Sequence, residues 1–119
     1  MPKRFVFQPM HDSEKLRRYI LENDGYIERD FTFEDGKFYD VICGKRAERG
    51  GQVCDYSDAE YEFGRDNLRE MPLAFVRKIQ KQIKNTKRYL TNPALQEESR
   101  LTLEEKLLRL QGVLDGVIK

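Results

Sequence analysis

The alternation of apolar and polar positions changes period several times along the chain. Arg4-Phe5-Val6-Phe7-Gln8-Pro9-Met10 is a short apolar run stopped by proline, the pattern of a strand buried on both faces. After Pro9 the period becomes helical. Leu16, Tyr19 and Ile20 share one face, Asp12 and Ser13 stand where a helix is capped, and Asn23-Asp24-Gly25 closes it. Glu14, Lys15, Arg17, Arg18 and Glu22 are expected largely on the opposite, wet face. Residues 26–33 and 38–43 are then rich in aromatic and β-branched side chains, joined by Glu34-Asp35-Gly36-Lys37. Asp-Gly between two such runs predicts a tight hairpin with positive φ at both central residues. In its first arm Ile27, Phe31 and Phe33 have the same parity. The second arm, Phe38-Tyr39-Asp40-Val41-Ile42-Cys43, is more uniformly apolar and is the predicted interior strand.

Residues 47–52, with Gly50-Gly51 and several charges, read as a loop. Residues 55–66 are acidic with interleaved Tyr56 and Tyr61 and end near Phe63-Gly64; they read as a connector that packs one or two aromatics on the core. Beyond Pro72 two seams step by three and four: Val76, Ile79, Ile83, Thr86 and Leu90, then Leu103, Leu107, Leu110, Leu114 and Val117. They predict an antiparallel two-helix coiled-coil hairpin. The second helix starts either at Asn92-Pro93 or after Thr102, where Thr102-Leu103-Glu104-Glu105 has capping-box spacing. The expected division is a sheet domain with its connector over 1–66 and a helical hairpin over 67–119.

With 119 residues, 22 basic against 21 acidic side chains and a net charge of +1, bulk electrostatics select no partner. Only the placement of charge is informative. No apolar run suits a membrane span or a signal sequence, so the expected location is the cytoplasm, with no membrane partner. Cys43, Cys54 and His11 are the only residues of their types. They cannot assemble a closed four-ligand zinc site, and no metal is expected. His11 reads as a surface loop residue, and the cysteines as reduced thiols.

Strand, helix and returning hairpin, in that order, match the end of a Rossmann-like α/β methyltransferase sheet, where the last strand inserts antiparallel between the two before it. Phe5-Val6-Phe7-Gln8-Pro9-Met10, Leu16-Arg17-Arg18-Tyr19, Asn23-Asp24-Gly25-Tyr26-Ile27, Glu34-Asp35-Gly36-Lys37-Phe38-Tyr39 and Glu60-Tyr61-Glu62-Phe63-Gly64 occur in the order and spacing of one family. Together they resemble the C-terminal half of the bacterial tRNA (adenine(22)-N1)-methyltransferases. The resemblance covers residues 4–90 well and the last helix in pattern only. It implies S-adenosylmethionine as cofactor and tRNA as partner. The glycine-containing loop and ribose-binding acid of that family have no counterpart here, so the chain is expected to lack most of the cofactor pocket and to be inactive alone. It would be the C-terminal portion of a larger enzyme. The first strand would then expose an edge, open to the missing N-terminal half or to a second copy.

Gln8, Pro9 and Met10 are the candidate catalytic residues. On the residues alone, Gln8 satisfies backbone at a strand end and Pro9 stops the strand. The resemblance instead places Gln8 where its amide meets the edge of a base, with Pro9 stiffening the turn and Met10 packing on base or cofactor. The candidate RNA-binding residues are Arg77, Lys78, Lys81, Lys84, Lys87 and Arg88, in a stretch (73–92) without a single acid. Arg77, Lys81, Lys84 and Arg88 share one helix face, the arrangement that tracks phosphates. Pairing of these cations with Glu97, Glu98, Glu104 and Glu105 is the competing reading, and a non-catalytic RNA-binding or coiled-coil interaction module the competing function.

Overall fold

The computed structural model describes residues 3–46 and 55–118. The whole of the expected 47–52 loop, and Cys54, lie outside them. The order of elements is β1 (Arg4–Phe7), α1 (Ser13–Glu22), β2 (Gly25–Glu34), β3 (Phe38–Arg46), α2 (Asp58–Phe63), α3 (Arg65–Glu70), α4 (Leu73–Leu90) and α5 (Glu97–Leu114). The chain divides into two compact units, Met1–Phe75 and Val76–Lys119.

In the first unit the three strands pair in the order β1-β3-β2, with β3 antiparallel to both neighbours. The more apolar hairpin arm is thus the interior strand, as its composition predicts. Phe5, Ile20, Ile27, Ile42 and Tyr56 form the core, with Phe7, Leu16, Leu21 and Tyr61 packed against it. The hairpin turn departs from expectation. Glu34 faces Phe38 across a three-residue loop, and only Gly36 of that loop has positive φ (71°). The α1 cap also differs. Asp12 sits at the N-cap in the left-handed region (φ 58°) without a side-chain cap bond, which an aspartate tolerates better than most residues.

Side-chain parity in β2 is overturned by a bulge. The pairing shifts by one residue between Ile27 and Arg29, so the alternation flips. Asp30 and Thr32 are buried, whereas Phe31 is only half-buried and Phe33 is 45% exposed. The carbonyls at the bulge do not go unpaired. Arg65 Nη1 donates to Ile27 O at 3.2 Å and its Nη2 to Glu28 O at 2.9 Å. Next along α3, Asp66 Oδ2 accepts from Asp30 N and Asn67 Oδ1 from Thr32 N, each at 2.8 Å. Three consecutive residues of α3 therefore cover the outer edge of β2 in place of another strand. The 55–66 connector is accordingly two short helices. Ser57 and Glu60 make a reciprocal capping box at the start of α2, and Tyr56 and Phe63 are buried.

The helix face of α1 is also rearranged. Tyr19 is exposed, while Arg17, expected on the wet face, is wholly buried. Its Nε donates to both oxygens of Asp30 at 3.1 and 2.9 Å, and its Nη2 lies 3.4 Å from Asp40 Oδ2. Nη1 donates to the carbonyls of Tyr61 (2.9 Å) and Glu62 (3.3 Å). Tyr56 Oη donates to Asp30 Oδ2 at 2.9 Å and Thr32 Oγ1 to Asp40 Oδ1 at 3.0 Å. One guanidinium thereby ties α1 to both arms of the hairpin and to α2.

In the second unit Ile79, Thr86, Leu110 and Val113 are buried. α5 begins at Glu97 after Gln96, at neither expected start, and Thr102 lies inside it with Oγ1 donating to Glu98 O. Its end is earlier than the seam suggests. Gly116 turns left-handed (φ 74°) and the amides of Val117 and Ile118 return to Gly112 O, leaving Val117 80% exposed. Arg100 of α5 donates to Leu90 O (3.0 Å) and Asn92 O (3.3 Å), which joins the end of α4 to the start of α5.

Three outcomes are expected from this packing. A Cβ at Gly44 would collide with Tyr26 O and lie 2.6 Å from the Phe5 ring; Gly44→Ala should lower stability by about 2 kcal/mol, read as a lower urea midpoint at unchanged slope. Arg17→Ala strands two buried carboxylates and should cost about 3–5 kcal/mol in the same measurement. Burial raises the Asp30 carboxyl above its ordinary value, against the opposing pull of Arg17 and Tyr56. The folded state then holds that proton more tightly than the unfolded one, so the contribution is complete below the ordinary carboxylate range and fades as pH rises through the folded value. The stability advantage of wild type over Asp30→Asn should shrink as pH rises above the ordinary carboxylate value of about 4.

Candidate functional site

The strand end that carries Gln8, Pro9 and Met10 is built from β1 outward. Phe5 and Phe7 stack with ring centroids 5.1 Å apart, and Phe5 is buried while Val6 is 63% exposed. The chain keeps this alternation beyond the strand. Pro9 is half-buried, whereas Gln8 and Met10 are exposed. The pairing with β3 also continues past Phe7↔Ile42, because Asp40 N donates to Pro9 O at 3.1 Å.

That bond connects the candidate site to the buried ionic cluster. Asp40 gives its amide to Pro9, while its carboxylate is held by Thr32 and Arg17. Pro9 is therefore fixed from behind by a residue that cannot itself move without breaking its bonds to β2 and α1. Gln8 keeps its side-chain amide, with two donors and an acceptor, on the exposed side of this anchored backbone. Such a group can hydrogen-bond the edge of a planar heterocycle. His11 is exposed in the same turn.

Sequence reasoning misses Arg17, Thr32 and Asp40 as supports of this strand end. The signal is present in spacing: Arg17 precedes the buried Ile20 by one helical step, and Asp40 has the parity of Ile42. The polarity of both residues masks their phase.

The other candidate residues lie on α4. Arg77, Lys81, Lys84, Lys87 and Arg88 are exposed and Lys78 is half-buried. Arg77, Lys78 and Lys81 have interaction partners within the chain. The Arg88 guanidinium lies 5.5 Å from the centre of the Tyr89 ring. These α4 residues belong to the second unit and the Gln8 strand end to the first.

The segment from β1 into α1 contains no glycine, the space over Gly44 is taken by Phe5 and the Tyr26 carbonyl, and that over Gly64 by Asp30, Asn67 and Arg17. Among the described residues no group of three or more His, Cys, Asp or Glu could hold a metal ion, and no helix is long and apolar enough to cross a membrane.

Comparison with known proteins bears on what this arrangement serves. Among curated proteins nothing matches the chain. Among solved structures it is similar to a Streptococcus agalactiae protein of the NADB-Rossmann superfamily (25% identity, TM-score 0.81, 95% of this chain and 48% of that one). It is also similar to a Streptococcus pneumoniae protein assigned provisionally as a tRNA (m1A22) methyltransferase (24%, 0.81, 94% and 49%). A third likeness is to M. capricolum TrmK in complex with S-adenosyl-homocysteine (15%, 0.80, 98% and 50%). The chain spans about half the length of each of these proteins. The profile of one family, TrmK, tRNA (adenine(22)-N(1))-methyltransferase, matches residues 1–112. With a match over almost its whole length, the chain belongs to the tRNA (adenine(22)-N(1))-methyltransferase family.

Proposed function

We propose that this chain supplies the C-terminal portion of a tRNA adenine-N1 methyltransferase. Its sheet end would meet the target base, and its α4–α5 pair, an antiparallel coiled-coil hairpin, would meet the body of the tRNA. The observation that carries this reading is the family match over residues 1–112 together with an exposed Gln8 on a backbone anchored by Asp40.

N1 of adenine has a free lone pair, so methylation there needs no strong base. What the reaction needs is alignment, together with tolerance of the positive charge left on the ring. Gln8 would hold the base edge through its amide, accepting from the exocyclic amine and donating to a ring nitrogen other than N1. Pro9, fixed through its carbonyl, keeps Gln8 from recoiling when the base arrives, and Met10, 42% exposed, offers an apolar surface to the base. An adenine of folded RNA must leave its stack to reach this point, and phosphate binding by Arg77, Lys78, Lys81, Lys84, Lys87 and Arg88 would hold the tRNA while it does so.

S-adenosylmethionine is the methyl donor this chemistry calls for, and the segment from β1 into α1 has no glycine to give it a close backbone approach. On this reading the cofactor pocket would belong to a part of the enzyme other than these elements, which would leave the isolated chain inactive. β1 is the natural place for that part to dock. Its outer edge is not paired with any strand among the described residues, in contrast to the edge of β2 that α3 covers. A non-catalytic RNA-binding or coiled-coil interaction module is the alternative reading.

Titration calorimetry separates the readings. Unmodified tRNA should bind this chain with strong salt dependence, and S-adenosylmethionine should not bind; micromolar binding of the methyl donor would overturn the account of its pocket. Lys84, Lys87 and Arg88 can be replaced by Gln without touching the buried seam. The triple variant should reduce the slope of log affinity against log salt by about 0.7–0.9 for each phosphate that it no longer neutralises. An unchanged slope would remove α4 from the interface.

A further inference from the structure

We infer that Tyr89, at the end of α4, is a stacking platform for an unpaired nucleobase of RNA. The inference rests on the reading of α4 as an RNA-binding helix and extends it from phosphates to a base. Tyr89 is an aromatic residue next to the exposed Lys87 and Arg88 in the last turn of α4, and it is 53% exposed. The Arg88 guanidinium lies over one face of its ring, 5.5 Å from the centroid, so a cation for the adjoining phosphate already stands on that side and a base would stack on the other. Every base presents a flat face to such a ring, and an arginine at its side adds to the attraction.

The surroundings are prepared in two further ways. A helix C-terminus ordinarily repels phosphate, because its last carbonyls carry partial negative charge. Here those carbonyls are taken up. Arg88 O accepts from Thr91 N and Thr91 Oγ1, Tyr89 O from Asn92 N, and Leu90 O from Arg100 Nη1. Lys87, Arg88 and Arg100 place three cations around this end, against Glu97 and Glu98 in the first turn of α5. The turn is also rigid by construction. Asn92 Oδ1 accepts from Ala94 N, and Arg100 Nη2 clamps Asn92 O. The ring is thus offered from a fixed mount at little entropic cost on binding.

Fluorescence anisotropy on the full chain tests this with two RNAs of equal phosphate count, a stem–loop with unpaired adenines and a perfectly paired duplex. Tyr89→Ala should weaken stem–loop binding about tenfold and leave the duplex affinity and both salt slopes unchanged. Tyr89→Phe, which keeps the ring, should bind like wild type. Equal affinity of Tyr89→Ala and wild type for the stem–loop overturns the inference, and so does an equal loss on both RNAs, which would mark a general effect on the helix end. If the wild-type chain binds neither RNA in a salt-dependent way, the RNA-binding reading of α4 falls first. Salt-dependent duplex binding with a silent Tyr89→Ala rejects only the stacking site.

Discussion

Arg17 sits with no solvent exposure between two aspartates from different strands, and most of the first unit is arranged to make that bearable. Removing three charges from water is expensive, and their mutual attraction repays it only when nearly every donor and acceptor finds a partner. Tyr56, Thr32 and the carbonyls of Tyr61 and Glu62 supply those partners. They come from β2, from α2 and from the segment leading into it, so the elements around the sheet are placed by electrostatics as much as by apolar packing. The apolar cluster of Phe5, Ile20, Ile27, Ile42 and Tyr56 would not by itself dictate where α2 lies. The directional bonds of one guanidinium do.

The same network accounts for the difference between the two sides of the sheet. On the β2 side, Arg65, Asp66 and Asn67 satisfy backbone groups that would otherwise invite another strand. On the β1 side the inner pairing is just as firm, ending in the bond from Asp40 to Pro9, but no strand among the described residues lies along the outer edge. One edge of the sheet is thus covered by helix, and the other carries no strand among the described residues. Gln8 follows directly on β1, at the end of that uncovered edge.

Much of this is legible in the sequence because it depends on period. The strand ending at Gln8-Pro9, the central position of Phe38-Cys43, the core positions Leu16 and Ile20, and the seam Val76, Ile79, Ile83, Thr86, Leu90 all follow from spacing. What escapes are the cases where one interaction overrides the local pattern. Arg17 and Asp30 are charged and yet belong to the interior, because each is the other's partner across a gap that no window of sequence spans. The start of α5 is misplaced for a related reason: Arg100, reaching back to Leu90 and Asn92, organises the turn that the Thr102 capping pattern promises. The strand end at Gln8 follows from its own residues; its anchoring through Asp40 does not.

The bulge between Ile27 and Arg29 has a further bearing on how the chain can be taken apart. Without it, Phe31 and Phe33 would turn inward with Ile27, and that more oily arrangement is the one the hairpin's own sequence prefers. The observed arrangement is chosen from outside the ribbon, by an arginine ahead of it in the chain and by the Arg65-Asp66-Asn67 triplet behind it. Excised alone, residues 25–46 would carry two competing strand alignments and no arbiter between them. The smallest piece that stores the correct alignment runs from α1 through α3. An insertion or deletion of one residue anywhere in β2 would act as a phase error, exchanging the wet and dry faces of everything downstream to the turn.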